Sequence, residues 1–165
     1  MILASRLIKI IEKNSDVIAD RWVDDVITLP YTRSYWNIPR DVLHERAESV
    51  CNRMGYYLGR RLPKERLAGF YRKMGKARKA EGHPVEDVIM ALFLLKRHVW
   101  LFVLQEGFLA TNLELYQALE LNNRVVLYFD RAIYYVAQGY AEEDEIEASG
   151  EAAEQARPVE ESELT

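Results

Sequence analysis

The side chains able to do chemistry in this chain are few and scattered. His44, His83 and His98 are the histidines, the groups that ordinarily titrate near neutral pH. None stands four residues from another, the spacing that lets two imidazoles on one helix hold a zinc ion, so no metal site is expected. Cys51 is the single cysteine, which rules out an intramolecular disulfide and any multi-cysteine zinc site. Its simplest reading is a small apolar residue in a reducing compartment, the cytoplasm. Paired acids such as Asp24 and Asp25, or Glu86 and Asp87, fall near helix starts or on exposed faces, where solvation and the helix dipole account for them. The chain has no Gly-x-Ser-x-Gly elbow, phosphate loop or dinucleotide fingerprint. No enzymatic activity is expected.

His98 has two readings. It lies mid-helix beside Lys96, Arg97 and Trp100, where a helical, globin-like domain could offer an axial haem ligand. The other reading is a solvated or satisfied histidine, with no cofactor. Glycines raise a related choice: Gly55 and Gly59 form a small-xxx-small pair, and Gly69 and Gly75 sit inside helical patterns at a cost of about 1 kcal/mol each relative to alanine. Tight helix crossings explain them. Alternatively they leave room for a small ligand in an apolar pocket between helices, near Trp22, Tyr71, His98 and Trp100.

The elements that must position these residues are all helical. Leu3, Leu7, Ile10 and Ile11, then Val17, Ile18, Trp22 and Val26, recur at three- and four-residue steps, with Asn14 and Ser15 as a stop and restart. Residues 29–39, with two prolines and Tyr31, Tyr35 and Trp36, read as an aromatic loop. A helix over 41–62 places Leu43, Ala47, Val50, Met54 and Leu58 on one face, and Pro63 begins the next. That helix should end at Gly82, and Pro84 suits the first turn of a central helix, 84–106, whose apolar surface is too wide for a single packed side.

The last helix, about 112–140, carries Leu115, Leu119, Asn122, Val126, Phe129, Ile133, Val136 and Tyr140 at alternating steps of four and three. This is a heptad seam, and the expected dimer interface on it comprises Asn122, Val126, Phe129, Ile133 and Val136, with the polar Asn122 able to set register. No strand pattern or internal repeat competes.

Composition bounds the rest. A chain of 165 residues, 49% hydrophobic, supports one domain with a real core. Its net charge of -4 averages two unlike regions: residues 141–165 hold ten acids against Arg157, which leaves 21 basic and 16 acidic residues, or +5, in 1–140. That modest positive charge is too dispersed for a nucleic-acid surface. Arg6 and Lys9 interrupt the apolar N-terminus, and Glu86, Asp87, Lys96, Arg97 and His98 interrupt the longest apolar stretch, so neither a signal peptide nor a membrane span is expected. Residues 141–165, rich in Glu, Ala and Ser, read as an acidic disordered tail after a helical domain over 1–140.

The run from Met74 to Ile89, including Arg78-Lys79-Ala80-Glu81-Gly82-His83-Pro84-Val85-Glu86-Asp87, together with Lys96-Arg97-His98-Val99-Trp100 and the Arg21-Trp22 pair, resembles the N-terminal sensory domain of the RsbR and RsbRD co-antagonist proteins. The resemblance implies an all-helical, globin-like module without haem, usually dimeric, in stress signalling. In that family the last helix runs into an effector such as an anti-sigma-antagonist domain, a histidine kinase or a cyclase; here the acidic tail stands in that place. The expected architecture is therefore all-α, a globin-like or orthogonal helical bundle with a long C-terminal helix. The expected role is a non-catalytic sensor that binds a small ligand or a protein partner, forms a homodimer and signals to a protein effector. The alternative is a haem-binding sensor with His98 as the axial ligand.

Overall fold

The computed structural model describes the backbone of residues 2–59, 62–106 and 109–155, and the side chains of 5–59, 62–106 and 109–142. Among the described residues every regular element is helical: α1 (Ile2–Lys13), α2 (Ser15–Val26), a short 3-10 helix (Pro30–Tyr35), α3 (Arg40–Leu58), α4 (Lys64–Ala80), α5 (Val85–Glu106) and α6 (Asn112–Gln155). The all-α expectation holds, as a bundle with a long last helix.

Local chemistry sets the boundaries. Asn14 closes α1 by donating its side-chain amide to the Ile10 carbonyl at 2.7 Å, and α2 restarts at once. After α2, the expected loop is a 3-10 helix with non-helical backbone at Thr32. The fully buried Thr32 hydroxyl donates to the Val26 carbonyl at 2.9 Å, satisfying one of the orphan acceptors at the end of α2. Pro63 and Pro84 each stand just before a helix rather than in its first turn. Gly82 has φ of +84°, with its N–H on the Lys79 carbonyl at 2.9 Å and that of His83 on the Arg78 carbonyl at 3.0 Å. These two bonds form a Schellman cap, which needs a residue without a Cβ at that point. Helix α6 opens on a capping box: the Thr111 hydroxyl accepts the Glu114 N–H at 3.2 Å, and the Glu114 carboxylate accepts the Thr111 N–H at 2.9 Å.

One core joins the elements, from Leu7 and Ile11 of α1 through Ile18, Leu43, Met54 and Leu67 to Leu95 and Phe129. The most extensive pairing is α4 on α6. Its closeness comes from glycine: a Cβ on Gly75 would strike the Val136 carbonyl oxygen, and one on Gly139 would strike that of Arg72. Arg72 donates to the Gln138 side chain at 2.9 Å, and Lys76 pairs with Glu142 at 2.9 Å along the same seam.

The buried stripe of α6 is Ala118, Leu121, Val125, Tyr128, Phe129, Ala132 and Val136. It runs beside the seam of large side chains expected from the sequence. Phe129 and Val136 are fully buried in the chain's own core, Asn122, Val126 and Ile133 are half-buried, and Leu115 and Leu119 are exposed. A second chain could reach Phe129 or Val136 only if this core opened. Helix α6 continues past Tyr140 to Gln155, into the stretch read as the acidic tail, and residues 156–165 lie outside the described residues. No helix among the described residues is long and apolar enough to cross a membrane.

Candidate functional site

A small, partly open cavity lies where five elements meet. Its walls are Trp22 of α2, Tyr35 of the 3-10 helix, Arg46, Ala47 and Val50 of α3, Met74 and Arg78 of α4, and residues of α5 including Val88, Ala91 and Leu95. The volume open to the centre of a water molecule is about 30 Å³. Trp22 is fixed by its indole N–H, which donates to the Ala91 carbonyl at 2.7 Å. The Tyr35 ring meets Trp22 edge-on at 6.3 Å and stacks on His83 at 4.5 Å.

Charge on this cavity comes from two arginines sharing one carboxylate. Glu81 accepts from Arg78 at 2.9 Å and pairs with Arg46 at 3.0 Å. Burial alone would raise the Glu81 carboxyl, but the two guanidiniums outweigh it and hold the group below the usual carboxylate range. Burial lowers Arg78, and the neighbouring Arg46 pushes it the same way. Arg46 Nη1 is buried without a hydrogen-bond partner among the described residues. Such a donor costs about 1–3 kcal/mol, and more when charged, unless something occupies it.

His83 connects this cluster to the last helix. It is 6% exposed, its Nδ1 lies 2.8 Å from the Ser34 hydroxyl, and its Nε2 lies 3.2 Å from Glu81. Burial, aided by Arg46 and Arg78 and opposed by Glu81, holds its imidazole below the ordinary histidine value, which favours the neutral ring. The His83 carbonyl accepts the Tyr140 phenol at 2.7 Å, and Lys79 donates to the Tyr140 carbonyl at 3.1 Å. Burial pushes the Tyr140 phenol up to about 12, so it stays a donor. One continuous chain of contacts therefore runs from the cavity wall at Tyr35, through His83, to α6.

Of the ligand-site residues expected from the sequence, Trp22 lines this cavity and the other three lie apart from it. Tyr71 is fully buried elsewhere, its phenol 2.6 Å from that of Tyr128. His98 Nε2 lies 2.6 Å from the Asp25 carboxylate, and Trp100 is half-buried against the core. A haem iron at His98 would have to displace Asp25. Tyr35, Arg46, Arg78, Glu81 and His83 were not among the expected site residues. Their one sequence signal is the Arg78 to His83 run around the glycine cap. Burial pushes the Cys51 thiol up to about 12, aided by Glu48, so it is an inert core group. Among the described residues, no group of three or more histidine, cysteine, aspartate or glutamate side chains could hold a metal ion.

Comparison with known proteins bears on this arrangement. A family model described as the RsbT co-antagonist protein rsbRD N-terminal domain matches residues 16–155. The chain belongs to this family. No curated protein and no solved structure matches it. The rsbRD N-terminal match takes in the cavity, the Glu81–His83 cluster and α6 to its last described residue, and begins after α1.

Proposed function

We propose that this rsbRD-type domain is a non-catalytic sensor in stress signalling, with the cavity beside Trp22 and Tyr35 as its input and α6 as its output. The observation that carries the reading is the tie between them: His83 stacks on a cavity wall with its ring and holds Tyr140 with its carbonyl. A ligand that displaces Tyr35 or draws Arg46 away from Glu81 changes the environment of His83, and so the seat of α6. The shift is one of populations, driven by the ligand's preference for one of two packings.

The output would pass to a protein effector, and to a second copy of the chain, through α6. Since Phe129 and Val136 are committed to the core, the dimer surface is assigned to the solvent face, where Tyr116, Leu127 and Tyr134 are 73%, 47% and 60% exposed. Spacings of eleven and seven residues put these three on one side of the helix. The half-buried Asn122, Val126 and Ile133 would flank that contact.

Hydrogen exchange tests the coupling. His83→Ala, which removes the ring but keeps the carbonyl, is expected to speed amide exchange in α6 around Tyr140 while leaving the Thr111 end unchanged. Exchange unaltered around Tyr140 would sink the coupling. For the dimer, light scattering should show a mass that halves in Tyr116→Asp/Tyr134→Asp; a monomeric wild type at micromolar concentration removes that part of the reading.

A further inference from the structure

We propose that a basic groove between α1, α2 and the end of α5 receives the acidic C-terminal segment, residues 143–165, of a second copy of this chain. Arg6, Lys9 and Lys13 of α1 and Arg21 of α2 line the groove, and Ile10, Val17 and Phe102 supply its apolar wall. Its volume open to water centres is about 730 Å³, room for a stretch of polypeptide. The proposal does not depend on the cavity beside Trp22.

The first support is that these cations lack acids of their own. Arg6, Lys9 and Lys13 are exposed, and steps of three and four put them on one side of α1. Among the described residues, Lys9 and Lys13 form no ion pair or hydrogen bond. Arg21 donates to the neutral Gln105 side chain at 2.8 Å and lies over the Phe102 ring. Against the four cations stand Glu106 in the lining and Glu114, which acts on Arg6 while accepting its hydrogen bonds within the α6 cap. The other acids of α1 and α2 are directed elsewhere: Glu12 lies against Gly55 of α3, Asp20 and Asp24 pair with His44 and Arg40, and Asp16 stands outside the groove walls. A surplus of two positive charges remains.

The chain itself carries the matching charge. Residues 143–165 hold nine acids against Arg157, a balance of -8. Lys76 pairs with Glu142 at 2.9 Å, and α6 runs on from there to Gln155, about 20 Å further at 1.5 Å per residue. A nucleic acid or an anionic membrane would meet the same cations, but also the acidic segment of every chain it bound, and the whole chain carries -4.

Reach decides which copy supplies the segment. Tyr140 bonds His83, just before α5, and Asp130 stands 4.0 Å from Lys96, so α6 runs back along α5 and carries Gln155 away from the groove. Adding the rise of α5 from Val85 to Phe102 to that of α6 from Tyr140 to Gln155 puts Gln155 about 48 Å from Phe102. The ten residues after Gln155 span at most about 36 Å when fully extended. A chain therefore cannot fill its own groove. Two copies lying side by side in opposite directions can exchange segments reciprocally, which closes the assembly as a dimer.

The test is sedimentation velocity of the full chain carrying Tyr116→Asp/Tyr134→Asp, which takes the contact proposed on the solvent face of α6 out of the readout. A dimer is expected at micromolar concentration in about 50 mM salt, with the dissociation constant rising at least about tenfold at about 300 mM as screening tightens. In that background Lys9→Glu/Lys13→Glu spoils the groove and Glu147→Gln/Glu151→Gln/Glu154→Gln spoils the segment, so each alone should sediment as a monomer. Their equimolar mixture should form one-to-one pairs, because one native groove and one native segment remain. If the charge-reversed groove does not fold, Lys9→Gln/Lys13→Gln takes its place. A mixture that pairs no better than its components overturns the proposal. So does a monomeric parent at low salt, which leaves the α6-face dimer to its own test. Phosphatidylserine vesicles or duplex DNA bound by the parent and the segment variant, but not by the groove variant, would give the groove to a different occupant and overturn this one.

Discussion

The phenol of Tyr140 donates to the backbone carbonyl of His83 across 2.7 Å, fastening the last helix to the junction of α4 and α5. Tyr140→Phe keeps the ring and deletes that bond. It is expected to lower stability by about 0.5–1.5 kcal/mol, the net value of one such bond, and to quicken exchange near the site. Urea denaturation with an unchanged midpoint would show that the bond contributes nothing.

The α4–α6 crossing makes opposite demands on two glycines of one helix. Gly75 has the Val136 backbone against it, whereas nothing lies within 4 Å of a Cβ placed on Gly69. Gly75→Ala should therefore destabilise by about 1–3 kcal/mol through overpacking. Gly69→Ala should stabilise by up to about 1 kcal/mol, the helix propensity gained. Parallel thermal melts decide this; two changes of the same sign would contradict the crossing.

Stability should fall with acid in a window set by His83. Its folded value lies below the ordinary one, owing first to burial and then, against Glu81, to Arg46 and Arg78. The unfolded chain thus takes up the proton first as pH drops. The contribution is complete above about pH 6.5 and is lost as pH falls through that value toward the folded one. Glu81, held low, adds a loss only in the more acidic carboxylate range. Urea midpoints should drop between about pH 7 and pH 5.5 in the wild type, and less in His83→Gln; equal drops would exclude His83 as the source.

In the core, Tyr71 and Tyr128 bond only 2.6 Å apart, and burial raises both phenols. Tyr128→Phe leaves the Tyr71 hydroxyl buried without this partner, at a cost of about 1–3 kcal/mol, whereas Tyr71→Phe leaves the Tyr128 hydroxyl its longer bond to the Val50 carbonyl at 3.4 Å and should cost less. The double variant should cost less than the sum of the singles. A double-mutant cycle with additive losses would mean that the two hydroxyls do not depend on each other.

The helices were legible because their ends are written in residues with few alternatives: Asn14, Pro63, Gly82 and Pro84 stand within two residues of boundaries seen in the structure. The face of α6 was harder to read. Two stripes with steps of three and four share that helix, and the one through Leu115, Leu119 and Val126 has the larger side chains and so the stronger apolar pattern. The core took the one containing Ala118, Ala132 and Gly139, because close approach to α4 needs small residues and a count of large apolar groups misses them. The candidate site was legible only at Trp22. An arginine on a helix reads the same in sequence whether it meets solvent or a carboxylate, so Arg46 gave no signal until the tertiary packing brought it to Glu81, which Arg78 meets locally three residues away.

Where Gly75 and Gly139 bring α4 and α6 together, main chain rests on main chain, and no flexible side chain lies between them to absorb displacement. Two such contacts on one seam fix how closely the helices approach and how they cross. At 1.5 Å per residue, about 40 Å of α6 lies on the Asn112 side of Gly139 and about 24 Å on the Gln155 side. The Tyr140 bond sits one residue from Gly139, so it fastens α6 beside the point where the two backbones touch.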